Sequence, residues 1–313
     1  MTRLYRLLVL TFSLTYAFSS AHADFVLLSQ NTLHLGYKSK AVGPGYIAAK
    51  VGYLKSDILP NADINLLQEV MRQTDPTDFA WNAGGDTYTF WPTTAVQNFW
   101  PNRKGFNRYK EAYMTVAKTN KVDILCYGSL DNTVMQNYGK GSKLIRPPDV
   151  MLVRSKGSAN ITWVLNYHAI FGNKQDRYDE ADGIADYIVK YLTQIAPNAT
   201  AFGCPGTQNT KTDRVVVAGD WNLSQTELAS SFPGTHFNIF VADADLTSLN
   251  ANGDLSSNYD HFIATTPVVL NGVGVFAPAA GTFPACPAGV TGTYCGFRTY
   301  VSDHLGVKVN VVD

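Results

Sequence analysis

The chain has 313 residues, 45% hydrophobic and 12% aromatic, which supports one large core or two small ones and excludes a fibrous or disordered polymer. Its 25 Lys and Arg match 25 Asp and Glu, so no global field attracts a polyanion, and any such substrate must be held by a local patch.

In chain order, Arg3 and Arg6, the apolar run from Leu7 to Phe18 and the triplet Ala21-His22-Ala23 have the three-part build of a secretory signal. Residues 1–23 are therefore expected to be removed, with a secreted or periplasmic mature chain starting at Asp24. The apolar run is too short for a membrane anchor, which needs about 20 residues, and no later segment reaches that length. Removal takes two arginines and no acid, so 25 basic groups become 23 against 25 acidic ones, a formal charge of −2.

Short apolar runs rich in β-branched residues predict strands at Phe25–Leu28, Ile64–Val70, Val122–Tyr127, Val150–Val153, Ile161–Tyr167, Arg214–Ala218, His236–Val241, His261–Ala264, Val268–Leu270 and Gly306–Val312. Helices are expected at Tyr46–Leu59 and at Asp176–Ile195, where Ile184, Tyr187, Ile188, Tyr191 and Leu192 form a stripe that would cover a sheet. Ser224-Gln225-Thr226-Glu227 has the spacing of a capping box and should open a short helix. This alternation predicts a layered α/β fold in one domain over residues 24–313, without repeat or linker. Two stretches, Ala83–Asn107 and Asn271–Ser302, read as long irregular loops of the kind that carry function.

Four cysteines, Cys126, Cys204, Cys286 and Cys295, match no zinc spacing, and in an exported chain they point to disulfides. Cys286 and Cys295 bracket a Pro/Gly/Thr-rich loop and are the expected bridge. Cys126 with Cys204 follows only by elimination, with free buried thiols as the alternative.

Polar residues recur where apolar runs stop: Asn31, Gln68-Glu69, Asn166 and His168, Asp220 and Asn222, Asp260, then Asp303 and His304. Such groups are costly in a core unless paired or bound to metal, and strand ends on one edge of a layered sheet converge on one cleft. Carboxylates, amides and two histidines together suit a hard, oxygen-ligated cation such as Mg²⁺ better than zinc.

The segments Ser29-Gln30-Asn31-Thr32, Leu67-Gln68-Glu69-Val70, Asn166-Tyr167-His168, Gly219-Asp220-Trp221-Asn222, Tyr259-Asp260-His261-Phe262-Ile263 and Ser302-Asp303-His304 occur in an order that resembles the endonuclease/exonuclease/phosphatase superfamily. That group includes pancreatic-type deoxyribonuclease, inositol-polyphosphate phosphatases, bacterial sphingomyelinases and the catalytic subunit of cytolethal distending toxin. The resemblance implies a four-layer α/β/β/α sandwich, two packed mixed sheets flanked by helices. It implies that Glu69 binds Mg²⁺, with Mn²⁺ as a substitute and with Asn31 and Asp303 as direct or water-mediated ligands. Asp220 and Asn222 would orient the attacking water and a phosphate oxygen. His304, paired with Asp260, would act in acid/base or phosphate-stabilising chemistry, His168 would meet the scissile phosphate from the other side, and Asn166 would bind substrate.

A further likeness concerns substrate. Arg108-Tyr109-Lys110-Glu111-Ala112-Tyr113 is similar to the pancreatic deoxyribonuclease segment whose glutamate orients the first catalytic histidine, which would pair Glu111 with His168. Arg146-Pro147-Pro148 is similar to a stretch of the distending-toxin subunit. Between Trp81 and Tyr113, Trp81, Phe90, Trp91, Phe99, Trp100 and Phe106 are interleaved with Arg103, Lys104 and Arg108, which are expected to hold a polymer's phosphates while aromatics stack bases or anchor the loop. The favoured reading is a deoxyribonuclease-like phosphodiesterase, a monomer unless it belongs to a toxin complex. A phosphoinositide phosphatase or sphingomyelinase-like enzyme at a phospholipid surface is the alternative, and a structural Ca²⁺ in a loop is left open.

Overall fold

The structure, a computed structural model, describes residues 24–35, 44–71, 80–92, 97–98, 110–130, 144, 146–193, 211–242, 244–278, 283 and 285–312. The signal segment, Cys204, the loop cations Arg103, Lys104 and Arg108, and the aromatics Phe99, Trp100 and Phe106 lie outside the described residues. No helix among the described residues is long and apolar enough to cross a membrane.

The strands are β1 (Phe25–Leu35), β2 (Ile64–Met71), β3 (Trp81–Ala83), β4 (Asp86–Pro92), β5 (Gln97–Asn98), β6 (Lys110–Lys118), β7 (Val122–Ser129), β8 (Asp149–Ser155), β9 (Thr162–His168), β10 (Val215–Asp220), β11 (Phe237–Phe240), β12 (Ser248–Leu249), β13 (Leu255–Ser257), β14 (Asp260–Thr265), β15 (Val269–Phe276) and β16 (Gly306–Val312). The first sheet runs β15-β16-β1-β2-β6-β4-β3, with β5 added to β6; the second runs β11-β14-β10-β9-β8-β7; β12 and β13 form a separate pair. Both sheets are mixed, since β1 lies parallel to β2 and β9 to β10 while their other neighbours are antiparallel.

Alternation along each strand decides which residues meet. In β10, Val215 and Val217 join the core beneath the helix Lys174–Tyr187, whereas Val216 and Ala218 join Phe25, Leu27, Ile64, Leu66, Phe262 and Val309 between the two sheets. The outer face of the first sheet, through Leu28, Leu67, Met114 and Val116, packs on Tyr53, Leu54 and Ile58 and on Phe297 of the helix Cys295–Tyr300. The layers are therefore helix, sheet, sheet, helix, as the resemblance implies.

Several elements differ from expectation in ways that have physical causes. The buried stripe Ile184 to Leu192 is real, but the helix starts at Lys174, where Asn173 caps it by accepting from Gln175 N (3.0 Å), and loosens into a π-helical turn at Ile188–Leu192. The first helix is shorter than its apolar pattern, Pro44–Tyr53, followed by a π turn and a 3-10 turn at Leu59–Asn61 set off by Pro60. The two stretches expected to be irregular contain strands β4 and β15 and the helix Cys295–Tyr300. Strand β6 has no counterpart among the expected strands; charged residues at both its ends mask a central strand that pairs with β2 and β4. The capping box at Ser224 is complete, Ser224 N donating to Glu227 Oε2 (2.8 Å) and Glu227 N to Ser224 Oγ (3.3 Å). The expected Cys286–Cys295 disulfide is present, and Cys126 is also disulfide-bonded.

Candidate active site

The alternation that builds the core also delivers polar side chains to one end of the space between the sheets. Asn31 has the parity of Phe25 and Leu27, Gln68 that of Ile64 and Leu66, His168 that of Val164, Asp220 that of Val216 and Ala218, and Asp260 that of Phe262 and Ala264. Strand pairing sets Asp220 opposite His168 on one side and opposite Asp260 on the other, so three expected site residues form one row across the second sheet.

Glu69 breaks the alternation. Continuing β2 from Leu67 would turn it toward the helical layer, but a φ of 54° and a register shift between Leu67 and Val70 bring its carboxylate back, and it accepts from Asn31 Nδ2 at 3.1 Å. Asn222 is likewise left-handed, with a φ of 50°. Each such conformation costs about 1–3 kcal/mol in a non-glycine residue and persists where the surroundings over-determine it. Gly219 is required by space, because a Cβ there would lie 1.7 Å from the Tyr167 carbonyl oxygen. Trp221 is fully buried against Tyr167 and Phe232, and the buried Asn222 of the Asn222-Leu223-Ser224 sequon is not presented as a glycan acceptor.

Asp220 Oδ2 is the hub. It accepts from Asn31 Nδ2 at 3.1 Å and lies 3.4 Å from His304 Nε2 and 3.6 Å from His168 Nε2. Each imidazole is held from behind by a buried acid: His304 Nδ1 is 2.7 Å from Asp260 Oδ2, and His168 Nδ1 is 2.5 Å from Glu111 Oε1. An Nδ1–H given to a carboxylate fixes the tautomer and aims Nε2 at the site. Glu111 comes from the first sheet and His168 from the second, so this pair spans the interface between them.

The charges follow from these contacts. Burial opposes ionisation of Asp220, but His304 and His168 outweigh it and hold the carboxyl below its usual range. Burial also opposes the His304 imidazolium, yet Asp260 and Asp220 raise it well above an ordinary imidazole. Burial pushes Asp260 itself up against the pull of His304, so this pair holds a proton tightly between its members. His168 is raised as well: burial and Arg146 work against its charge, and Glu111 and Asp220 prevail. Glu111, which burial would raise, is brought down to about 2 by Arg146 and His168.

Further residues at the site are given no role by the sequence, although Arg146 and Tyr113 lie in segments that resemble known nucleases. Arg146 lies with Nε 3.4 Å from Glu111 Oε2 and donates through Nη1 to Ala169 O at 2.6 Å. The backbone N–H of His168 donates to the Tyr113 hydroxyl oxygen at 3.1 Å. Lys50 donates from Nζ to Thr32 O (3.0 Å) and to Leu33 O, and burial lowers its pKa to about 8 against the pull of Glu69 and Asp303. His34 Nε2 is 3.2 Å from Glu69 Oε2. The one available signal for Lys50 was its position three and four residues before Tyr53 and Leu54, on the buried stripe of its helix.

The expected roles are redistributed by this geometry. Asn166, expected to bind substrate, is fully buried and ties the sheets together, accepting from Gln68 Nε2 (2.6 Å) and donating to Leu67 O (3.2 Å). Asn31 turns its NH₂ toward both Glu69 and Asp220 while its Oδ1 accepts from Leu33 N at 2.9 Å, which makes it a bridge between carboxylates. Asn222 donates from Nδ2 to Ala169 O at 3.2 Å, and its backbone N–H binds Asp220 Oδ1 at 2.9 Å. Among the described residues the group whose ligand atoms fall within 4.8 Å of one another is Asp220, Asp260 and His304, none of them expected as a metal ligand, and its members already bond to each other. The buried Oδ1 atoms of Asp303 and Asp260 have no hydrogen-bond partner among the described residues. A desolvated carboxylate oxygen fits a hard cation, and Glu69 and Asp303 both lie near enough to act on Lys50, so the residues present suit a Mg²⁺-like ion.

No protein-family profile matches the sequence, and no curated protein matches it. Solved structures do match in fold. An endonuclease/exonuclease/phosphatase family protein from Bacteroides thetaiotaomicron superposes with a TM-score of 0.59 at 14% identity, covering 93% of this chain and 98% of that one. A mannosyl-6-phosphatase from the same organism gives 0.59 at 15% identity over 92% and 99%. D. rerio TDP2 complexed with single-strand DNA product gives 0.53 at 13% identity over 93% and 100%. The chain has the endonuclease/exonuclease/phosphatase fold.

Proposed function

We propose that this protein is an exported, Mg²⁺-dependent phosphodiesterase that cleaves nucleic acid. The observation that carries the reading is the pair of histidine–carboxylate couples, His168–Glu111 and His304–Asp260, whose free nitrogens face the same Asp220 oxygen from two sides. In-line displacement at phosphorus needs a group that orients water, a proton acceptor, and positive charge beside the phosphoryl oxygens. Asp220, ionised at neutral pH, orients the water and takes its proton as the new P–O bond forms. His304, whose imidazolium is favoured well beyond an ordinary histidine, and His168, whose pKa is raised in the same direction, donate Nε2–H to phosphoryl oxygens, and one passes its proton to the departing ester oxygen as that bond breaks. Glu69 and Asp303 would hold the divalent ion, which supplies Lewis-acid polarisation of the phosphate, while Asn31 keeps Glu69 and Asp220 apart.

The nuclease preference rests on the Glu111–His168 couple, foreseen from a deoxyribonuclease-like segment, and is in keeping with the DNA-bound fold neighbour. Some aromatics of the Trp81–Tyr113 stretch serve as anchors: Trp81 stacks on Tyr88 at 4.3 Å, and Trp81 and Phe90 pack on the outer core. Export rests on the signal-like start and on the disulfides. The test is incubation of the purified protein with plasmid DNA, RNA, sphingomyelin vesicles and phosphoinositides, each with Mg²⁺ or EDTA. Cleavage of nucleic acid only with Mg²⁺ is expected; full activity in EDTA, or turnover confined to the lipids, overturns the reading.

A further inference from the structure

The turn after β9, residues 169–172, is fixed by more bonds than a connection needs. Ala169 N donates to Asp220 O at 2.8 Å, and Ala169 O accepts from Asn222 Nδ2 at 3.2 Å and from Arg146 Nη1 at 2.6 Å. Ile170 N donates to Glu180 Oε2 at 2.8 Å, a buried carboxylate that also accepts from Tyr167 O–H at 2.7 Å. Gly172, with a φ of 127°, gives its carbonyl to Arg177 Nη2 at 3.3 Å, and the same guanidinium holds Asn222 O. Side chains of the candidate site and of the following helix thus clamp the turn from both sides.

In the middle of this clamp Phe171 stands 76% exposed. The other exposed large hydrophobics among the described residues, Leu255 at 42% and Val269 at 52%, are aliphatic and lie on strands. A phenyl ring left in water forgoes the gain of burial, and the clamp does not need this one, since it is made by backbone and polar groups. Phe171 stands three positions after His168, at most roughly 11 Å of chain, so it lies within a nucleotide's reach of a phosphate held at His168. Its apolar neighbours Ala169 and Ile170 are buried, and Gly172, Asn173 and Lys174 add no exposed apolar side chain. Insertion into a lipid surface calls for a band of apolar side chains, whereas one flat ring standing out from a turn whose backbone is fixed suits one flat partner.

We propose that Phe171 is a substrate-binding residue that stacks on an unpaired base flanking the scissile phosphate. The inference rests on the phosphodiesterase reading and narrows its substrate to polynucleotides with unstacked bases at the cut. Because the turn is already ordered, stacking loses little conformational freedom on binding.

The test uses the full protein with Mg²⁺, comparing the parent with Phe171→Ala and Phe171→Trp on a short single-stranded oligodeoxynucleotide and on its counterpart made of abasic nucleotides. Phe171→Ala should raise KM for the base-bearing strand roughly 5- to 100-fold, the effect of losing one stacked base, with kcat and melting temperature nearly unchanged. Phe171→Trp should restore KM, and the abasic strand should not distinguish the variants. An unchanged KM in Phe171→Ala, or equal losses on both strands, overturns the proposal while leaving the nuclease reading standing. Weaker binding to sphingomyelin vesicles with oligonucleotide kinetics untouched also overturns it, making the ring a lipid contact. A parent that cleaves no polynucleotide refutes the reading beneath it.

Discussion

Replacing Glu111 by Gln tests the buried relay most directly, because one carboxylate serves both Arg146 and His168. Its pKa falls from 4.5 to about 2 in the folded protein. At about 1.4 kcal/mol per pKa unit this is a stabilisation of about 3 kcal/mol at neutral pH, in line with the cost of breaking a buried ion pair. A depressed carboxylate stabilises the fold above its unfolded pKa and loses that contribution as pH falls toward the folded value. Glu111→Gln should therefore cost about 3 kcal/mol at pH 7, roughly half as much near pH 3, and little near pH 2. Activity should change for a separate reason. Without its closest anionic partner, burial and Arg146 are opposed by Asp220 and by the more distant Glu69, 3.9 Å from Nε2, so the His168 pKa falls and less of it is protonated at neutral pH. We expect kcat to fall by roughly 100-fold and the basic limb of its pH profile to move to lower pH. Denaturant unfolding of parent and variant from pH 7 down to 3, with kcat profiles for both, measures each part. Equal destabilisation across that range, or an unmoved basic limb, would refute the assignment of charge.

Removing divalent ions with EDTA should abolish activity and lower the melting temperature, with Mg²⁺ or Mn²⁺ restoring both; a melting curve indifferent to the ions would argue against Glu69 and Asp303 as its holders. Gly219→Ala forces a methyl group against Tyr167 O at a nominal 1.7 Å, so β10 must part from β9 beside Asp220. A cost of at least about 3 kcal/mol or an insoluble product is expected, and a soluble variant melting with the parent would contradict the packing. Reduction of Cys286–Cys295 opens a loop of sequence separation 9 and should destabilise the fold by roughly 2–4 kcal/mol. Because the helix starting at Cys295 runs directly into Asp303 and His304, activity should fall at temperatures where the reduced protein is still folded, and a reduced protein with unchanged kcat would separate the bridge from the site.

Much of this protein is written locally. The strand and helix periods, the capping box at Ser224, the order of the polar strand ends and the short Cys286–Cys295 span need only neighbouring residues to be legible, because each reflects a backbone period or a short-range bond. The pairing of Glu111 with His168 was reachable only through a resemblance, since strand β6 conceals itself behind its charged ends and the contact joins two sheets. Other features had no local signature at all. The left-handed turn at Glu69 reverses the direction that alternation gives its side chain. Asn31 becomes a bridge between acids, Asn166 becomes a link between sheets, Lys50 enters the site from a helix with an ordinary apolar pattern, and Arg146, noticed only for a resemblance of its segment, turns out to hold Glu111. Sequence determines which face of each element is apolar and which residues end each strand. Tertiary structure alone decides which of those ends share one low-dielectric space, and it is that sharing which sets the charges, the tautomers and the chemistry.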